Sequence, residues 1–127
     1  MSAYSQHNFD EIDNVNPDPE GVDARFARKH LESEHLGVTR MRYPPNMKSP
    51  FGHRHGSQEE VYVVVSGSGR MRLDDDIVDL RQWDVIRVAP TVTRGFHSGP
   101  DGLELVVAGS DRPEGGDGEM VKDWWTD

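Results

Sequence analysis

The sequence contains no cysteine among its 127 residues. It can therefore form no disulfide, thiolate nucleophile or cysteine-ligated zinc or iron–sulfur site, and any metal ion would have to bind histidine and carboxylate side chains. The sequence also lacks a Gly-x-Ser-x-Gly motif, a phosphate-binding Gly-Lys-Ser/Thr loop and a dinucleotide-binding glycine motif within a βαβ pattern. The motifs of acyl transfer and nucleotide chemistry are thus missing.

Basic residues are scarce relative to acidic ones. There are 14 Lys and Arg residues against 23 Asp and Glu, which gives a formal net charge of −9. Without a basic run, the chain is not expected to bind nucleic acid or an anionic membrane. No stretch approaches the roughly 18 apolar residues that span a bilayer, and the N-terminus lacks the pattern of a signal peptide. We therefore expect a cytoplasmic protein.

Large aliphatic residues and phenylalanine are few and unevenly distributed. Leu, Ile, Val and Phe number 27, of which 20 lie between Leu36 and Gly109. This distribution predicts one folded domain over residues 36–110, with a polar N-terminal extension over 1–35 and a C-terminal tail over 111–127. Trp124 and Trp125 near the end of the tail are expected to anchor it on the domain or on a partner.

Short apolar runs separated by turn residues predict an all-β fold, either a sandwich or a barrel. One short helical turn is expected near Phe26 and Leu31. The turns are expected at 66–69, 74–76 and 98–102. The predicted strands are Val38–Tyr43, Glu60–Val65, Met71–Leu73, Ile77–Leu80, Val85–Val88, Arg94–His97 and Leu103–Ala108.

The strand that begins at Glu60 is apolar on both faces. Val61, Val63 and Val65 share one face, whereas Tyr62 and Val64 share the other. One face can line the interior of a barrel, and the other needs a cover of its own. A second sheet, the N-terminal extension or another subunit could supply it, and we expect a homodimer.

Two histidines alternate in His53-Arg54-His55, which places both imidazoles on one face of an extended segment. The stretch from His53 to Gly67 resembles the first motif of the cupin superfamily, which reads His-x-His, three or four residues, Glu, six residues, Gly. Glu60 matches the acidic position by its spacing to Gly67, and Glu59, one register away, is the alternative.

The resemblance covers roughly Val38 to Gly109 and implies a small single-domain protein of the cupin type 2 kind. The expected fold is a double-stranded β-helix, or jelly-roll barrel, with a pocket at one end that commonly holds iron, manganese, nickel or zinc. It implies His53, His55 and Glu60 as the metal ligands.

The second cupin motif matches less well, because Trp83 stands where a glycine is usual and Arg94 stands where the third histidine is expected. Strand alternation places Arg94 and Phe96 on one face, with Phe96 inward and His97 outward. A guanidinium cannot bind a cation, and pairing of Arg94 with Glu60 would weaken a metal site. Two histidines and one carboxylate can nevertheless hold non-haem iron or zinc, so metal binding remains open.

Three functions are consistent with this pattern. The first is binding of a small polar or anionic molecule in a pocket that also includes Tyr62, Arg94 and Phe96, with or without a divalent metal. The second is a metal-dependent enzyme of the dioxygenase or isomerase type acting on a small acidic substrate. The third is a non-catalytic dimeric scaffold with a vestigial pocket.

Overall fold

The structure, a computed structural model, describes residues 3–125 and consists mainly of antiparallel strands. A single 3-10 turn at Phe9–Glu11 and a four-residue helix, α1 (Arg28–Leu31), are the helical elements in this range. The strands are β1 (Asp23–Phe26), β2 (Gly37–Tyr43), β3 (Phe51–His55), β4 (Glu60–Leu73), β5 (Asp76–Leu80), β6 (Val85–Val88), β7 (Arg94–Gly109) and β8 (Gly118–Lys122). None of the described helices has the length and apolar character needed to cross a membrane.

The two longest strands, β4 and β7, pair with each other along most of their lengths and organise the sheet. The first part of β4 also pairs with β6, and the last part of β7 pairs with β2, which in turn pairs with β1. The second part of β4 pairs with β5, and the start of β7 pairs with β3, which in turn pairs with β8. The curled sheet is the jelly-roll barrel that the sequence predicts.

The glycine-rich segments at 66–69 and 98–102 do not end strands, contrary to the sequence prediction. Each lies inside a long strand, and the β4–β7 pairing shifts register there. Gly67 and Gly102 have φ angles of +78° and +81°, and a Cβ on Gly67 would lie only 2.1 Å from the carbonyl oxygen of Gly102. The two strands approach each other so closely here that a side chain on Gly67 would clash with the backbone. Glycine at these positions therefore lets the paired strands bend together. The 74–76 prediction is confirmed, since a tight turn at residues 74–75 joins β4 to β5.

The core lies between the two halves of the curled sheet. Strand alternation directs one face of each strand inward, and the prediction that Phe96 points inward is confirmed. The ring of Phe96 packs on Tyr62 at 5.3 Å and on Tyr43 at 5.7 Å between centroids. The buried cluster comprises Tyr43, Tyr62, Val64, Met71, Leu80, Val88, Phe96, Leu103, Leu105 and Val107.

Both flanking segments pack on the barrel. In the N-terminal segment Ile12 is buried, and Asp10 accepts a 3.0 Å hydrogen bond from Arg40. The expected helical turn is present but begins only at Arg28, because residues 23–26 pair with β2 as a strand. The boundaries 1–35, 36–110 and 111–127 stay a prediction, and strands of the sheet lie in all three parts.

Trp124 and Trp125 pack on the chain's own barrel, one of the two outcomes expected for the tail. Trp124 lies against Gly52 and under the guanidinium of Arg72, which is 4.0 Å from the ring centroid. Arg72 also donates a hydrogen bond to the carbonyl of Trp124. The ring of Trp125 contacts His97 at 5.9 Å between centroids. The tail is therefore fixed at its far end as well as along β8.

The outward valines of β4, Val61, Val63 and Val65, are only partly buried. Val85 on the neighbouring β6 is 65% exposed. An apolar outer face of this kind is what the expected homodimer would cover, and the homodimer stays a prediction.

Candidate metal centre

His53, His55 and Glu60 come from two strands that follow one another in the chain. His53 and His55 share a face of β3, since they are two residues apart, and Glu60 is the first residue of β4. Pairing of His53 with Arg94 attaches β3 to one edge of β7, whereas Glu60 lies opposite Gly109 on β7. Although these pairings involve opposite ends of β7, the three side chains that the sequence singles out lie together.

The three potential ligand atoms lie within 4.8 Å of one another. Oε1 of Glu60 is 3.2 Å from Nε2 of His55 and 3.6 Å from Nε2 of His53. The side chains of His55 and Glu60 are 12% and 13% exposed and so largely shielded from water, whereas the side chain of His53 is 32% exposed. Glu59, the alternative acidic residue, is exposed and pairs instead with Arg87. Of the two acidic residues, Glu60 lies in the cluster and Glu59 lies outside it.

Arg94 is fully buried beneath the cluster. Its Nη2 donates a 2.9 Å hydrogen bond to Oε1 of Glu60, and its Nε donates to the hydroxyl of Tyr62 at 3.2 Å. Its Nη1 donates to the carbonyls of Pro90 and Val92. The Tyr62 hydroxyl in turn donates to Oε1 of Glu60 at 2.7 Å. Most of the guanidinium donors are therefore engaged by the protein itself.

Tyr62 lines the cavity of about 680 Å³ that lies beside the cluster, whereas Arg94 and Phe96 do not. Their predicted contact with a ligand stays a prediction. The contacts present make Arg94 a support for Glu60 and Tyr62. Phe96 packs in the core as described above.

Sequence reasoning missed Asp117, which lies in the tail just before β8. Oδ1 of Asp117 accepts a 2.8 Å hydrogen bond from Nδ1 of His55, and Oδ2 accepts from the backbone N–H groups of Ser57 and Gln58. A carboxylate that holds the second nitrogen of a histidine is the usual partner of a metal-binding imidazole. The surrounding Gly/Asp/Glu-rich composition resembles a linker, so no pattern distinguished Asp117 from its acidic neighbours.

The hydrogen bond to Asp117 determines which nitrogen of His55 is available. Because Nδ1 donates to Asp117, Nε2 of the neutral ring carries a lone pair, which faces the carboxylate oxygen of Glu60. Nε2 is buried, and within the described residues no group makes a well-aligned hydrogen bond with it. Two lone pairs at 3.2 Å need a cation between or beside them, which can be a proton or a metal ion.

The pKa values of the cluster follow from the same contacts. Burial alone would raise the pKa of Glu60, but His53, His55 and Tyr62 outweigh it and hold the pKa well below its usual range. The Glu60 carboxylate raises the pKa of His55 against the effect of burial, with a further contribution from Asp117. Burial also works to raise the pKa of Asp117, but the N–H groups of Ser57 and Gln58 lower it well below its usual range.

These shifts predict that the fold loses stability in acid. A carboxyl whose pKa is lower in the folded than in the unfolded chain stabilises the fold above its unfolded pKa, and this contribution disappears as the pH falls. The ordinary values are 4.5 for Glu60 and 3.8 for Asp117. Urea unfolding should therefore give a decreasing free energy of unfolding from pH 5 to pH 3, with a smaller decrease in Asp117→Asn. If the free energy of unfolding falls equally with pH in the two proteins, Asp117 does not contribute to the loss of stability in acid.

A second prediction concerns the same carboxylate. Asp117→Asn should weaken binding of a divalent metal by about tenfold, the lower end of the range for loss of an outer partner of a ligand. Asp111→Asn is a matched control, because Asp111 also pairs with a histidine, the exposed His35. Calorimetric titration with Zn²⁺ measures both variants, and equal affinities would contradict the role assigned to Asp117.

A cavity of about 680 Å³ opens beside the cluster. His53, His55, Glu60 and Tyr62 contribute to its wall, and apolar side chains contribute much of the remainder. A volume of this size is within the range of about 300–1,000 Å³ typical of small-molecule sites. The other lining residues are Val15, Phe26, Arg28, Lys29, His30, Gly37, Thr39, Met41, Phe51, Gln58, Val107, Gly109, Arg112, Gly118, Glu119 and Met120.

Comparison with solved structures identifies the fold. A cupin protein from Bacteroides fragilis superimposes with a TM-score of 0.70 at 21% identity, over 100% of this chain and 99% of that one. Oxalate decarboxylase from Bacillus subtilis at pH 4.6 superimposes with a TM-score of 0.76 at 21% identity, over 92% of this chain and 31% of that one. A further structure of that enzyme, described by its Mn(II) centers, gives a TM-score of 0.74 at 19% identity, over 92% and 32% of the two chains.

The chain has the cupin fold, as its motif predicts. It spans about a third of the oxalate decarboxylase chain, so the likeness extends to part of that enzyme. No family model matches the sequence, and no curated protein matches it.

The residues present fit a divalent metal ion. Two imidazoles and one carboxylate form a donor set used by iron and zinc, and Nε2 of His55 is buried 3.2 Å from Glu60 without a well-aligned hydrogen bond to any described residue. Arg94 works against the fit, because its positive charge lies 2.9 Å from the carboxylate oxygen that a metal would use. The cluster therefore has the ligand set of a metal site, with the positive charge of Arg94 opposing a cation there.

Proposed function

We propose that the protein binds a small anionic molecule in the cavity at a divalent metal ion held by His53, His55 and Glu60. The observation that carries the proposal is the convergence of three ligand atoms, one of them the buried Nε2 of His55, on the wall of a 680 Å³ cavity. When bound, the ion would supply a positive charge that attracts and polarises an oxygen of the ligand.

The protein side chains would contribute orientation and exclusion of water. Asp117 holds the His55 ring with Nε2 toward Glu60. Arg94 and Tyr62 fix Oε1 of Glu60 by two hydrogen bonds. Since His55 and Glu60 are each held by a partner from another part of the chain, two of the three ligands are oriented before a metal arrives.

The metal is proposed to be manganese, iron, nickel or zinc. Manganese is supported by the similar structure that is described with Mn(II) centers. A ligand set without sulfur is consistent with any of the four ions.

Titration of metal-free protein, purified without a histidine tag, tests the proposal. We expect one Mn²⁺ or Zn²⁺ per chain by isothermal calorimetry, with release of protons as the ion replaces the proton favoured on His55. Absence of binding, or several weak sites with no stoichiometric one, would refute it.

Arg94→His provides a gain-of-binding prediction. Replacing the guanidinium by an imidazole removes a repelling charge and adds a potential ligand, so the metal affinity should rise by roughly tenfold, equivalent to about 1.4 kcal/mol. Arg94→Leu removes the charge without adding a ligand and should give a smaller increase. If both variants bind the metal no better than the unaltered protein, Arg94 does not oppose metal binding.

A further inference from the structure

The apolar wall of the cavity indicates what kind of molecule the site would accept. Three of the large hydrophobic side chains that remain exposed line this one cavity, namely Val15 at 61%, Phe26 at 48% and Met120 at 69%. The partly buried Met41 and Phe51 line it as well. Exposed apolar side chains clustered around one concave surface are typical of a site that binds an apolar group.

The charges around the cavity are predominantly positive, although the chain carries a net charge of −9. Arg28, Lys29 and Arg112 line it, and none of the three is in a salt bridge with a residue in the described range 3–125. The two acidic lining residues are both neutralised, since Glu60 pairs with Arg94 and Glu119 pairs with Arg54. The part of the wall outside the His53, His55 and Glu60 cluster therefore attracts an anion.

The size of the cavity sets a lower limit on the size of the ligand. A two-carbon dicarboxylate such as oxalate would contact the cluster alone and leave most of the 680 Å³ filled with water. A longer molecule would replace that water along Phe26, Met41 and Phe51.

We infer that the site takes an amphipathic monocarboxylic acid, with its carboxylate at His53 and His55. Its hydrocarbon body would lie along the apolar wall, which is formed by Phe26, Met41, Phe51 and Met120. The inference rests on the proposed function, which places the metal at the polar end. It adds the class of ligand, an acid with an apolar chain of several carbons. The positive charges of Lys29 and Arg112 would guide the anion to the opening.

Calorimetric titration of the zinc-loaded protein with butanoate, hexanoate and octanoate tests this inference. Each additional buried methylene should increase the affinity by about fourfold, which amounts to roughly 250-fold over the four methylenes from butanoate to octanoate. Octylamine should bind at least tenfold more weakly than octanoate. An affinity that does not change with chain length, or an amine that binds as well as the acid, would overturn the inference.

Two pairs of exposed hydrophobic residues provide matched variants. Phe26→Ala/Met120→Ala removes apolar groups from the cavity wall, and octanoate should then bind roughly tenfold more weakly. Trp83→Ala/Val85→Ala removes groups that are 64% and 65% exposed outside the cavity and should leave the affinity unchanged. Equal losses in the two double variants would also overturn the inference.

The same titrations separate this inference from the proposed function. Stoichiometric zinc binding without a dependence on chain length would refute the ligand class and retain the metal site. If the protein binds no zinc but its affinity for the acids still rises with chain length, the metal site is refuted and the apolar assignment of the cavity is retained.

Discussion

Replacing Glu60 by alanine is expected to lower the free energy of unfolding by about 3–5 kcal/mol, because it leaves a buried charge without its partner. Arg94 is 0% exposed, and its guanidinium cannot lose its proton to escape the cost of burial. Its hydrogen bonds to Tyr62, Pro90 and Val92 would remain, but none of these groups carries a negative charge. Thermal unfolding should show a midpoint lowered by roughly 10–20 °C.

Two further variants show whether the loss of stability comes from the buried pair of Glu60 and Arg94. Glu59→Ala changes the neighbouring exposed residue and should alter stability by no more than about 0.5 kcal/mol. The double variant Glu60→Ala/Arg94→Leu removes both charges and should regain part of the loss. If Glu60→Ala costs no more than Glu59→Ala, the pair with Arg94 does not stabilise the fold.

The second large effect is the loss of stabilisation by metal. A bound ion at 100 times its dissociation constant should raise the free energy of unfolding by about 2.7 kcal/mol. His53→Ala/His55→Ala removes two of the three proposed ligands and should abolish this increase with Mn²⁺ or Zn²⁺. Differential scanning calorimetry with and without the ion measures the change.

The control for that experiment uses histidines outside the cluster. His7 and His35 are exposed, so His7→Ala/His35→Ala keeps the number of histidines equal to that of the first variant. Its stabilisation by metal should match that of the unaltered protein. An equal loss in both double variants would mean that the ion binds surface histidines.

Much of the fold could be predicted because alternation of side chains is a local property of the sequence. Strands such as Val38–Tyr43 and Val85–Val88 appear with bounds that differ by at most one residue. The continuity of β4 and β7 could not be predicted in the same way. Gly67 and Gly102 lie in segments whose composition is typical of turns. They form bends within strands because β4 and β7, which are distant in the chain, pair with each other there.

Trp83 illustrates how the sequence and the backbone agree at an unusual position. It stands where the cupin motif usually has a glycine, and its φ angle is +73°, in the left-handed region that favours glycine. The backbone conformation typical of glycine is therefore present without the glycine. The Trp83 side chain is 64% exposed, so it takes up no space in the core.

The ligands His53, His55 and Glu60 could be proposed from spacing alone, since i, i+2 alternation and one short loop determine where they lie. The supporting carboxylate of Asp117 could not be proposed in this way. Asp117 is 62 residues from His55 in the chain, and the contact depends on β8 pairing with β3. Such long-range contacts between an acidic tail and a strand have no local signature, and other acidic residues of the tail were equally good candidates.

Crystallographic data collected near the absorption edge of manganese or zinc, from protein loaded with that ion, test the central claim most directly. The account predicts one anomalous peak per chain, within bonding distance of Nε2 of His53, Nε2 of His55 and the carboxylate of Glu60. A peak elsewhere on the surface, or ordered Arg94–Glu60 and His55–Asp117 contacts with no peak between the histidines, would contradict it.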